Sequence, residues 1–283
     1  MAAMNTTNDS AKDMVDRAKS IIATYFPKKT YRIVWEQRDG SLPGTDLIIY
    51  NKTMNQSRDS ACIQCELYDE QPSILHIESL KQCGLQGRTL LNQLIDFSKK
   101  CGFLQLTLQD GSRIVYTANG DEASISLKKL RRLMTGQGWY ETFGFTNETI
   151  VAYQEDIKRY LQQPIGIYSD ELIYRIQDYL EDNTHNITRG RTISATVSGL
   201  YTVLTTECPA RVCPNEDDLA VVDEIDNIVE ELYQGMLTSL RLNDTDFTSL
   251  TLTFPLKQKG SSRTRRKRAR KARATHRRRT RHV

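Results

Sequence analysis

Apolar positions recur with a helical period through "SAKDMVDRAKSIIATYF", where Met14, Ala18, Ile21, Ile22 and Tyr25 form one stripe behind Ser10 as N-cap, and Pro27 stops the run. Four short segments rich in β-branched and aromatic residues follow: "TYRIVWEQ", "TDLIIYN", "ACIQCELYD" and "SILHIESL". Asp-Gly, Pro-Gly and polar turns separate them, which predicts a meander of strands. The helical period returns in "RTLLNQLIDFSKKCGF", with Leu90, Leu91, Leu94, Ile95 and Phe97 on one face and an exit at Lys99, Lys100 and Gly102. Leu104, Leu106 and Leu108 then alternate in "LQLTLQD", as in a strand. Strand, helix, strand implies a crossover joining two parallel strands.

Beyond it, "SISLKKLRRLMTG" predicts a short basic helix and "ETIVAYQ" a last strand. From about Gln154 the period is helical, in "SDELIYRIQDYLEDN", "ISATVSGLYTVLTTE" and "EDDLAVVDEIDNIVEELYQGMLTSL". In the last, Val222, Ile225, Val229, Leu232 and Met236 form a seam that serves either a core or a partner protein. The expected fold class is α/β (α+β), with a mixed, partly parallel sheet and flanking helices. The expected organisation is an N-terminal helix over 1–29, a sheet domain over 30–155, a mainly helical domain over 156–256 and a disordered basic tail over 257–283.

Charge sharpens that division. The net +4 conceals 14 Lys plus Arg and no acid from Lys257 onward, so the first 256 residues hold 25 bases against all 35 acids, a net of −10. The tail has no hydrophobic periodicity and repels itself, so alone it builds no core. Arginine dominates in it and suits bidentate contact with phosphate. Arg265, Arg266, Lys267, Arg268, Arg270, Lys271, Arg273, Arg277, Arg278 and Arg279 are the candidate contacts to nucleic acid or another polyanion. Nuclear import and folding back onto the acidic segment from Glu216 to Glu231 are other uses of the same charge.

No run of 18 apolar residues exists, so no membrane span is expected. "MAAMNTTNDS" lacks the pattern of a secretion signal, which predicts an intracellular location, cytoplasmic or nuclear, and free thiols for the six cysteines. Cys62 and Cys65 have C-x-x-C spacing without a second pair or a neighbouring histidine, so no metal is expected there. Cys208 and Cys213 flank a proline-containing loop.

The stretch "ESLKQCGLQGRTLL" ends a strand and opens a helix through a loop with two glycines, a geometry that receives anions at the helix N-terminus. Downstream lies "GQGWYETFGF". Together the motifs and the order of elements over about 30–155 resemble the GNAT superfamily of acetyl-CoA-dependent N-acetyltransferases. A looser similarity is to uncharacterised GNAT-like proteins of large DNA viruses, which would make the virion a further location. The resemblance implies that a Q/R-x-x-G-x-G/A loop grips the pyrophosphate of coenzyme A, with Gln82 at its first position, Leu85 where its first glycine belongs and Gly87 at its second. Gln82, Gly84, Gln86, Gly87 and Arg88 are then the contacts to acetyl-CoA. Tyr140, Gly144 and Phe145 match the family's Tyr-x-x-x-Gly-Phe.

The implied chemistry is attack of an amine on the acetyl thioester, with Tyr140 as general acid toward the departing thiolate and Glu78, at the end of the fourth strand, as general base. His76, two residues earlier on the same strand face, is the substitute base. Leu85 sets an isobutyl group where bare backbone should meet phosphate oxygens. It supports the alternative expectation, a catalytically inactive GNAT-fold protein that packages or scaffolds nucleic acid. A tyrosine beside Phe143 and Phe145 also reads as a packed ring.

Overall fold

The computed structural model describes residues 10–39, 42–53, 60–81, 86–180, 185–243 and 250–256. The chain divides into two units, Met1–Leu108 with Phe254–Val283, and Gln109–Thr253.

The first unit opens with helix α1 (Ala11–Tyr25), whose entry is a capping box: Ser10 Oγ accepts from Asp13 N at 3.2 Å, and Ser10 N donates to the Asp13 carboxylate at 3.1 Å. Strands β1 (Tyr31–Arg38), β2 (Gly44–Asn51), β3 (Ile63–Tyr68) and β4 (Ile74–Leu80) are antiparallel neighbours. Helix α2 (Gly87–Cys101) then crosses to β5 (Gln105–Gln109), which pairs parallel to β4 from Ile74↔Gln105 to Ile77↔Leu108. Among the described residues this sheet has six strands, with Thr251–Pro255 beside β5 at its edge. The meander, the crossover and the parallel pair are all as the alternation of residue types predicts.

Register sorts the two faces of this sheet. Trp35, Leu47, Cys65, Ile77 and Leu108 are successive cross-strand partners and form an apolar row. One residue out of phase, Glu36, Asp46, Glu66, His76 and Thr107 are successive partners and form a polar row on the opposite face. Helix α1 packs on α2, and α2 on β4. Leu90, Leu91, Leu94, Ile95 and Phe97 are all buried, and Arg17 of α1 donates to the carbonyl of Cys101 at 3.0 Å. Helix α2 closes at Gly102, whose φ of 90° is one that an L side chain adopts only under strain.

In the second unit, β6 (Arg113–Ala118) and β7 (Asp121–Ser126) form a hairpin that the sequence analysis leaves out. Its turn is Asn119–Gly120 with φ of 52° and 102°, the positive pair that such tight hairpins require. Helix α3 (Leu127–Thr135), a 3₁₀ turn (Tyr140–Phe143) and α4 (Glu148–Leu161) follow. Helix α4 corrects the strand expected over "ETIVAYQ". Asn147 caps it by accepting from Thr149 N at 2.8 Å, and Ile150, Ile157, Tyr160 and Leu161 carry a helical stripe on past the segment that the β-branched residues had dominated.

The unit is completed by α5 (Asp170–Leu180), α6 (His185–Gly190), α7 (Ile193–Glu207) and α8 (Glu216–Ser239). Helix α8 packs against β6, β7, α3, α5 and α7, and its seam of Val222, Ile225, Val229, Leu232 and Met236 is buried throughout. The division at Leu108/Gln109 places "GQGWYETFGF" with the helices rather than with the sheet.

Among the described residues, three cysteines depart from the expected free thiols. Cys208 and Cys213 form a disulfide across the Pro209–Arg211 turn, and Cys62 is also disulfide-bonded. The short proline-containing loop returns the chain on itself, so the two thiols meet.

Gly235 in α8 faces the ring of Tyr168, and a Cβ there would lie 2.5 Å from its Cε1. The ring is pinned, because its hydroxyl meets Tyr160 at 2.5 Å and donates to the Leu232 carbonyl at 2.9 Å. Alanine in an exposed helix interior gains about 1 kcal/mol over glycine. Here the clash wins, and Gly235→Ala is expected to lose about 1–3 kcal/mol in urea unfolding.

Candidate functional site

Strand β4 carries the candidate chemistry of the first unit. Burial alternates along it, so Leu75 and Ile77 enter the core while His76 and Glu78 share the other face. His76 Nδ1 lies 2.9 Å from Thr107 Oγ1 on β5, its register partner, and His76 Nε2 lies 3.9 Å from Glu78 Oε2. Exposure rises along this line, from 8% at Thr107 to side-chain values of 19% at His76 and 53% at Glu78. The structure therefore brings the expected base and its substitute together and adds a hydroxyl. Thr107 escaped the sequence analysis because the parallel register that sets it beside His76 leaves no trace in either segment alone.

Glu78 also sits at an irregularity. Cys65 opposes Ile77 and Gln64 opposes Ser79, so Glu78 is an extra residue, a β-bulge on β4. Pairing with β5 has ended by then, since its last pair is Ile77↔Leu108 while β4 continues to Leu80.

Across the polar row, Glu66 accepts from Arg38 Nη1 at 2.6 Å and from the hydroxyl of Tyr68. The Arg38 guanidinium lies 4.8 Å from the Tyr68 ring, and the Tyr68 ring 6.5 Å from that of His76. The hydrogen bond to Glu66, with burial added, holds the Tyr68 phenol above its ordinary pKa, so it is no acid near neutrality. An open crevice of about 170 Å³ lined by Leu42, Pro43, Tyr68, Glu70 and Gln71 lies at the β3–β4 turn, the opposite end of β4 from Glu78.

Of the expected coenzyme contacts, Gln86 is the N-cap of α2 and makes no side-chain cap bond, and Gly87 and Arg88 open the first turn. No acidic residue lies in that turn, so nothing there opposes an anion. Gln82, Gly84 and Leu85 lie outside the described residues, as do the tail residues from Arg265 to Arg279. Cys65 and Cys101 are free but buried, which pushes the first thiol far up and the second to about 12, so neither supplies a thiolate. Among the described residues no group of three or more His, Cys, Asp and Glu side chains suits a metal ion.

Tyr140 belongs to the second unit. Gly136, at φ 79°, ends α3, and Gly144, at φ 96°, ends the 3₁₀ turn on which Tyr140 sits. The ring is 7% exposed and meets Trp139 at 4.7 Å and Phe145 at 5.8 Å, both edge-on.

Beside it is a buried charge cluster that the sequence analysis missed. Arg132 of α3 pairs with Glu141, their side chains 1% and 7% exposed, and Asp110 is also buried. A Cβ on Gly138 would stand 2.9 Å from Glu141 Oε1, 3.2 Å from Asp110 Oδ2 and 3.4 Å from Arg132 Nη2, so the three charged groups converge on that glycine. Asp110 Oδ1 accepts from Ser112 N and Oγ at 3.1 and 2.6 Å. The cluster is an internal brace for the turn that bears Tyr140. No family model, no curated protein and no solved structure matches the chain.

Proposed function

We propose that the first unit binds acetyl-CoA and passes its acetyl group to an amine, and that the basic segment 257–283 holds the protein on nucleic acid or another polyanion. The observation that carries this reading is the end of the β4–β5 pairing at Ile77↔Leu108, with a bulge at Glu78 on the stretch of β4 that runs on past it. Beyond the carboxyl ends of paired parallel strands a ligand finds room. Main-chain N–H groups taken out of a ladder by a bulge become donors for an oxygen that gains charge, as a thioester oxygen does under attack. The α2 N-terminus at Gln86, Gly87 and Arg88 suits the phosphates. The proton of the incoming ammonium leaves through the pair of His76 and Glu78 on the same strand.

The second reading is a catalytically inactive protein of the same architecture that scaffolds nucleic acid. The tight packing of the Tyr140 ring favours it, as does Leu85 at the position of a motif glycine.

Calorimetric titration of the full chain with acetyl-CoA separates the two, with inorganic tripolyphosphate as control for phosphate contact at the tail. Saturable binding that tripolyphosphate does not displace is expected, together with acetylation of amines that falls roughly 100-fold or more in Glu78→Gln. Equal turnover by Glu78→Gln removes its role as base. No saturable binding leaves the scaffold reading.

A further inference from the structure

We infer that the start of the basic segment docks on its own unit: the Lys259 side chain fills the crevice lined by Leu42, Pro43, Tyr68, Glu70 and Gln71, with its ammonium on the carboxylates of the β3–β4 turn. This docking stands whether or not the unit transfers acyl groups. At about 170 Å³ the crevice is smaller than the roughly 300–1,000 Å³ of sites for small organic ligands, and it suits a single long side chain.

Its walls match both halves of a lysine. Leu42, which is 57% exposed, and Pro43 offer an apolar side to the methylene stem. Glu70, with Asp69 next to it in the turn, offers exposed carboxylates to the ammonium. Arg38 lies 4.8 Å from the Tyr68 ring but is matched by Glu66 at 2.6 Å, so the rim keeps its negative charge.

The basic segment also sets out from the right place. Leu256 N donates to the Leu104 carbonyl at 2.9 Å, Leu104 N to the Ser73 carbonyl at 2.8 Å, and Ile74 N to the Gln71 carbonyl at 3.0 Å. Two strand spacings, about 10 Å, therefore separate Leu256 from the turn that bears Glu70 and Gln71. Three extended residues cover about 10 Å, which brings Lys259 to the rim. A tether this short gives an effective concentration in roughly the millimolar range, so a contact too weak to join separate molecules is populated within one. Helix α8, the other acidic stretch, is a poorer partner: Glu224 and Glu231 are taken by Arg175, Asp226 by Arg113 and Glu230 by Lys129. Docking at Lys259 leaves Arg265 and the bases beyond it for a polyanion, which is then held at the opposite end of β4 from Glu78.

Carbodiimide coupling of the full chain, mapped by mass spectrometry, tests the contact, because it joins a lysine to a carboxylate only where the two touch. The expected product is an amide between Lys259 and Glu70 or Asp69. Its yield should be independent of protein concentration and fall roughly five-fold or more at 1 M salt, where the Debye length is about 3 Å. Glu70→Gln and, at an exposed position that folding tolerates, Leu42→Ser should each lower it roughly two-fold or more. An unchanged yield in Leu42→Ser overturns the crevice as the seat, since charge attraction alone would then account for the product. An unchanged yield in Glu70→Gln overturns the assignment of the ammonium. Lys259 left uncoupled, coupled chiefly to other carboxylates, or coupled in a yield that grows with protein concentration overturns docking within the chain.

Discussion

Arg132→Met is expected to destabilise the protein by about 3–5 kcal/mol, because it strands the carboxylate of Glu141 in a buried place. Arg132 is the largest of the fully buried side chains, and it pairs with Glu141 beside the equally buried Asp110. Removing the cation leaves two carboxylates converging on Gly138 with less compensation. The attraction within such a pair does little more than offset the loss of hydration, so the damage lies in breaking the pair, not in lacking it. The double variant Arg132→Met/Glu141→Leu should therefore recover at least half of the loss, and Asp110 accounts for the rest. Urea unfolding of both variants, read as a double-mutant cycle, checks this. A single-variant loss below about 1 kcal/mol would mean that water relieves the carboxylates and that the cluster is no brace.

Phe97→Ala should cost a similar amount, about 3–5 kcal/mol, through a different mechanism in the other unit. Phe97 is fully buried in α2 and meets Tyr25 and Phe26 edge-on at 6.0 and 6.4 Å, and Phe26 in turn meets Tyr31 at 5.7 Å. This ring chain fastens α1 to α2 and to the start of β1. Alanine opens a cavity that helices fixed by the Ser10 cap and the Gly102 closure cannot readily collapse. Phe97→Leu fills most of that space and should lose less than half as much. Amide exchange adds a local readout, since α1 should lose protection before β2 and β3 in Phe97→Ala. Equal losses for Leu and Ala would point to ring geometry rather than volume as the stabilising feature.

Much of the first unit was legible in the chain because period and punctuation agree there. Ser10 caps α1, Gly102 closes α2, and strict alternation in "LQLTLQD" gives β5. The strand expected over "ETIVAYQ" failed because Thr149, Ile150 and Val151 favour strands locally, whereas the deciding contacts of α4 lie further on, at Ile157, Tyr160 and Leu161. The β6–β7 hairpin carries its signal in the sequence as Asn119–Gly120 between alternating residues, a pair that suits the positive φ of its turn.

In the candidate site, His76 and Glu78 were legible as neighbours two apart on a strand. Thr107 was not, since it is 31 positions away and reaches His76 only through the pairing of β4 with β5. The brace of Arg132 and Glu141 was hidden for the opposite reason: α3 is rich in lysine and arginine, and nothing in a basic helix says which member turns inward.

The two rows that cross the sheet of the first unit have a consequence for how the gene can change. Apolar and polar rows lie one residue apart on opposite faces, and His76 meets Thr107 in one alignment alone. Insertion of a single residue within β4 would turn Ile77 outward and His76 inward, while insertion of two would keep the faces and part His76 from Thr107. Folding therefore screens odd-numbered insertions, which bury polar side chains, while even-numbered ones keep the faces and lose the hydrogen bond of His76 with Thr107. Length can therefore vary at the turns of this sheet with the least disturbance of its two rows.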